Sequence, residues 1–192
     1  MIQLLLDNGA NINQQFAGAT PFQYFFIMVS KPEFLMEPRS WDRLAGVVKV
    51  FLEHGQNANV DIPVSAYGKG GGACKALHLA RCEVSKTLLK HGAHVNALNG
   101  TGLTALDYLI YVIVESGKKR LSFEDLYATA IVLLDYGGCI TYSTKRTLPE
   151  FINILSNMLI FELPENLRNP PQLPMTLTQR VRSIVPSYLG GA

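Results

Sequence analysis

The sequence predicts an all-α solenoid of stacked helix pairs joined by finger-like turns. Three observations predict it: one phrase recurs four times, a second follows it at a near-constant interval, and a glycine punctuates each recurrence. Self-similarity at a fixed period is the mark of a repeat array, in which each unit buries its apolar face only against its neighbours.

The first phrase reads LLLDNGANIN at 4–13, FLEHGQNANV at 51–60, LLKHGAHVNA at 88–97 and LLDYGGCITY at 133–142. Each is the end of an amphipathic helix, then a glycine where a left-handed cap is needed, then a short segment expected to be extended. The second phrase reads TPFQ at 20–23, TALD at 104–107 and TLPE at 147–150. A threonine followed three places on by a polar or acidic residue is a helix start, and Pro21 falls in the first turn, where its missing N–H costs nothing. His54 and His91 precede two of the glycines, where imidazole can bond the last helical carbonyls.

These phrases resemble the ankyrin-repeat family, whose unit is a finger-like turn, a first helix opening Thr-Pro-Leu-His and a second ending Leu-Leu-x-x-Gly-Ala. HGAHVNALNGTGLTALDYL at 91–109 carries the likeness best, and KALHLA at 75–80 matches the first-helix phrase with lysine in place of threonine. The resemblance implies an ankyrin array over residues 1–161: a partial repeat at 1–17, repeats at about 18–56, 57–99 and 100–143, and a degenerate last repeat at 144–161. Residues 162–192 form a proline-rich segment and a C-terminal helix.

The array is irregular. Gly9, Gly55, Gly92 and Gly137 stand 46, 37 and 45 residues apart, against ~33 in a regular unit. The first and third complete repeats carry insertions between their helices, KPEFLMEPRSW and SGKKRLSFED. Pro32 and Pro38 forbid a through-going helix in the first, and Ser122 with Asp125 marks a fresh cap in the second. The middle repeat has compressed helices and a lengthened finger. Because the array starts in mid-repeat, an apolar flank should need covering, as in a piece of a longer protein.

Composition narrows the function. A net charge of +2, with 17% of the 192 residues charged, argues against a nucleic-acid partner and against disorder. The longest apolar runs, such as LIYVIV at 109–114, fall short of a membrane span. Asp7 interrupts the opening too early for a signal peptide, and three cysteines cannot all pair, so a cytoplasmic or nuclear protein with reduced thiols is expected. The sequon at 99–101 is better read as an Asn-Gly turn.

No site for chemistry is expected, and neither a cofactor nor a metal. YGKGGGACK at 67–75 lacks the spacing of a phosphate-binding P-loop. Gly68, Gly70 and Ala73 fit a dinucleotide fingerprint, but the acidic residue it needs ~20 positions on is missing. The stretch is an insertion in a finger. Cys74, His78 and Cys82 share an i, i+4, i+8 spacing, but on one helix the outer two would lie ~12 Å apart, too far to share a zinc ion. His78 instead matches the family's structural first-helix histidine.

Ankyrin arrays bind proteins through fingertips and the exposed face of first helices. By that resemblance the contact positions are Gln15, Ala19 and Ile27 in the first repeat and Leu98, Thr101, Leu103 and Tyr111 in the third, with Tyr67 and Lys69 in the lengthened finger. The expected role is a non-enzymatic scaffold binding a protein partner or another segment of its own longer chain. Two alternatives stand beside it. TLTQRVRSIV at 176–185 loosely resembles the elongin-binding helix of ankyrin proteins with a suppressor-of-cytokine-signalling box, which would make the chain a ubiquitin-ligase adaptor. Val181 replaces the usual cysteine, however, and only seven residues follow. The other alternative is the regulatory C-terminal region of a larger enzyme.

Overall fold

The computed structural model describes residues 2–29, 40–63, 74–115 and 123–141. Tyr67, Lys69, Ser122, the TLPE phrase and everything after residue 141, including the segment at 176–185, lie outside the described residues. In order the elements are α1 (Ile2–Asp7), α2 (Pro21–Val29), α3 (Ser40–Glu53), β1 (Asp61–Ile62), β2 (Cys74–Lys75), α4 (Ala76–Leu79), α5 (Cys82–Lys90), α6 (Ala105–Glu115) and α7 (Phe123–Asp135).

The helices form two rows. Second helices contact one another in the order α1, α3, α5, α7, and first helices in the order α2, α4, α6. Within a unit, α4 meets α5 and α6 meets α7. Sequence pattern dictates the contact faces: α5 buries Val84, Ser85, Leu88 and Leu89, and α6 buries Ala105, Leu106, Leu109 and Ile110. Both are the i, i+1, i+4, i+5 stripe of a helix with one apolar side. Phe22 of α2 lies 5.2 Å from the Phe51 ring of α3 and meets Phe26 of its own helix edge-on at the same distance. Each such ring or leucine stabilises the core by about 1.5–3 kcal/mol.

Four identical caps end the second helices. The glycines Gly9, Gly55, Gly92 and Gly137 have φ between +82° and +89°. In each, the glycine N–H donates to the carbonyl three residues back, and the next N–H reaches four residues before the glycine: Ala10 to Leu5, Gln56 to Phe51, Ala93 to Leu88, Gly138 to Leu133. This double bond pattern is the Schellman motif, and the positive φ it demands is the reason for glycine. His54 and His91 turn Nδ1 onto the carbonyls of Val50 and Thr87, each at 2.8 Å, as expected.

After Gly9, Gly55 and Gly92 the segments are not extended. Gln14 N–H bonds Asn11 O, Val60 N–H bonds Asn57 O and Ala97 N–H bonds His94 O, so each is a tight turn beginning two residues past the glycine. In two of them an asparagine side chain sets the turn, Asn11 Oδ1 accepting from Asn13 N–H and Asn57 Oδ1 from Asn59 N–H.

First helices open as the threonine phrases predict. Thr20 Oγ1 accepts from Gln23 N–H while Gln23 Oε1 accepts from Thr20 N–H, and Thr104 and Asp107 repeat the exchange. Both are capping boxes. The middle repeat lacks one: Lys75 makes no side-chain cap. Its ammonium instead pairs with Asp61 at 2.7 Å across β1 and β2, which are antiparallel and close the base of the lengthened finger.

Among the described residues, no helix is long and apolar enough to cross a membrane.

Candidate recognition surface

The third finger is built around one side chain. Asn99 Oδ1 accepts from Thr101 N–H, Thr101 Oγ1 and Leu103 N–H at 2.7–2.9 Å, and Asn99 N–H donates to Leu103 O. Gly102 N–H closes onto Asn99 O, with Gly102 at φ +78°. The sequon is thus a turn, and its asparagine is buried with Nδ2 facing Cys74 Sγ. This locked tip leaves Leu98 53% exposed. Further along the same repeat, Tyr111 on α6 is 47% exposed.

Beneath the finger the polar groups are spent on structure. Residues three places after each first-helix start reach the next finger: Gln23 Nε2 donates to Asp61 O, His78 Nε2 donates to Leu103 O, and Asp107 accepts from Thr141 N–H and Oγ1. A carbonyl only accepts, so His78 carries a proton on Nε2. Burial pushes its pKa below the usual imidazole range, the Leu103 carbonyl pulling the other way. Burial also pushes the Cys74 thiol up, opposed by Asn99, so Cys74 stays protonated and poorly nucleophilic. Asp107 is fully buried with donors on both oxygens.

Cys74, His78 and Cys82 do not share a helical face. Cys74 sits in β2, α4 is one turn long, and extended backbone at Ala80 and Arg81 precedes Cys82. Among the described residues, no group of three or more His, Cys, Asp or Glu side chains could hold a metal ion.

The other expected contact residues divide. Gln15 and Thr101 are exposed, Thr101 with its hydroxyl already bonded to Asn99. Leu103 and Ile27 are half-buried, and Ile27 packs against the core. Ala19 is corrected: it is 3% exposed and offers no surface to a partner. The cause is local. Phe16 and Ala19 exchange both backbone hydrogen bonds around Ala17 and Gly18, which have φ of +47° and +81°, so the first finger ends in a two-residue hairpin. That hairpin presents Phe16, 74% exposed and 6.1 Å from the Tyr24 ring. Sequence reasoning passed over Phe16, although an aromatic before Ala-Gly was a signal for it.

Two asparagines were also missed. Asn59 Nδ2 donates to Gly92 O while its Oδ1 accepts from His94 N–H; Asn96 makes the same two bonds with Gly137 O and Cys139 N–H. Both stand four residues after a marker glycine, and that register was their signal.

The chain matches no known family model, and no curated protein matches its sequence.

Proposed function

We propose that this chain is a non-catalytic ankyrin-type solenoid that recognises another protein through the third finger and the exposed side of α6. The observation that carries this is the pairing of a rigid tip with exposed apolar side chains: Asn99 fixes the finger, and Leu98 and Tyr111 stand outside it. Rigid apolar anchors lose little entropy on binding, and tyrosine is favoured at the centre of interfaces. Support for the solenoid comes from the four Schellman caps and the two asparagine bridges, which repeat in one register. The buried side chains of His78, Asp107 and Thr129 bond neighbouring repeats.

The test is photo-cross-linking of the full chain in cells, with a photoreactive residue at Tyr111 or, as a control, at Lys49 on the exposed side of α3. Adducts should form at position 111, with Leu98→Asp reducing their yield to about a tenth, the loss expected of a ~1.4 kcal/mol contact. Equal labelling at both positions, or indifference to Leu98→Asp with the far-ultraviolet circular dichroism unchanged, contradicts the assignment.

A further inference from the structure

Of the four histidines, three are exposed and His78 alone is buried, at 2% exposure. Its Nε2 donates to Leu103 O at 2.9 Å, and the same oxygen accepts the Asn99 N–H at 2.9 Å. One carbonyl thus ties the middle repeat to the turn that fixes the third finger. Nδ1 makes no hydrogen bond among the described residues, although the Lys75 carbonyl lies close enough to favour a proton on the ring. The same register position is safe from protons near neutrality in the first repeat, where Gln23 donates to Asp61 O as an uncharged amide.

A proton added at Nδ1 places a full positive charge in a buried site, where ionised groups are costly. Two side-chain charges act on the ring: the Lys75 ammonium opposes the proton and is itself paired with Asp61, while the Asp107 carboxylate of α6 favours it. No residue of α2 is charged, none of α5 acts on the ring, and from α6 the Tyr108 ring stands 6.1 Å away. Burial is the largest of these influences. Relief requires water. Ala76, Leu77 and Leu79 around the ring and Ala105 and Leu106 on α6 are buried, whereas Leu103, bonded to Nε2, is half-buried. Hydrating the charged ring therefore means parting it from Leu103, whose oxygen also closes the finger.

We propose that the contact between His78 and Leu103 is an acid-sensitive latch: in mildly acidic solution, protonation of His78 releases the third finger from the middle repeat and loosens the turn at Asn99, weakening the hold on a partner at Leu98. As control of recognition this rests on the function proposed above. The opening of the finger does not, and it is read without a partner.

The experiment follows hydrogen exchange of the full chain by NMR between pH 7 and 5.5, with each rate corrected for the intrinsic dependence of exchange on pH. The Thr101 and Leu103 amides, both held by Asn99 Oδ1, should lose protection as the pH falls, by up to about tenfold per pH unit, the limit for one proton. The Cys82 amide of the same repeat as His78, held by Thr129 Oγ1 of α7, should keep its protection. His78→Gln, which copies the neutral donor Gln23, should leave Thr101 and Leu103 protected throughout. Constant protection at both amides in the unaltered chain overturns the proposal, and so does an equal loss at Cys82, since acid would then loosen the whole stack. A loss that survives His78→Gln overturns it too. If the finger opens as described while cross-linking at Tyr111 fails at both pH values, the latch stands and the proposed recognition of a partner falls.

Discussion

The middle and third repeats solve one structural problem with different means. The third opens α6 with a Thr104–Asp107 capping box and runs for 11 residues; the middle opens α4 at an uncapped Lys75 and ends after four. Yet both reach the following finger from the same register position, His78 through a donated hydrogen bond and Asp107 through accepted ones. What the stack conserves along its length is therefore the position of the bond between repeats. Helix length, cap and even the polarity of that bond vary around it.

That contrast can be broken most severely at Asp107. Asp107→Ala removes half a capping box and leaves the buried Thr104 N–H and the half-buried Thr141 donors without an acceptor, so a loss of about 3 kcal/mol is expected in urea denaturation. A loss under 1 kcal/mol would mean that the bond between repeats contributes little.

The cap is the next difference. Lys75→Thr should restore in the middle repeat what Thr104 does in the third, because residue 75 already has the extended backbone of an N-cap, φ −74° and ψ 153°. The cap contributes about 1 kcal/mol, and the lost ion pair with the largely exposed Asp61 costs a few tenths. A net gain of about 0.5 kcal/mol in the same assay is expected; a net loss would show that the ion pair is needed to close the finger.

The smallest effect separates histidine from aspartate by pH. Burial lowers the His78 pKa in the folded chain, opposed mainly by the backbone carbonyls of Leu103 and Lys75. The unfolded chain then binds the proton first. Stability from this residue is present above the ordinary imidazole pKa of about 6.5 and is lost as pH falls below it toward the folded value. His78→Gln, which copies Gln23, should keep the bond to Leu103 and flatten the fall in melting midpoint between pH 7 and 5.5. An identical slope in the variant would place the pH dependence elsewhere.

How much of this could be read beforehand follows from the range of each interaction. The glycine caps, the threonine boxes and the helix-ending histidines act within five residues, so spacing alone revealed them. The Asn59 and Asn96 bridges span 33 to 43 residues and became visible only when the repeats were brought side by side. Ala19 was assigned to the surface by the family resemblance. A tight hairpin at Ala17 and Gly18 replaces that finger's asparagine-centred turn and carries Ala19 inward. The candidate surface was legible at Leu98 and Tyr111, and Phe16 was overlooked because the register was carried over from a differently built tip.

The most direct test of the account is residue-resolved hydrogen exchange of the His94 and Cys139 amides in the Asn59→Ala and Asn96→Ala variants. Two bridges that act independently predict that Asn59→Ala speeds exchange at His94 alone and Asn96→Ala at Cys139 alone. Exchange unchanged at both amides in both variants would contradict it.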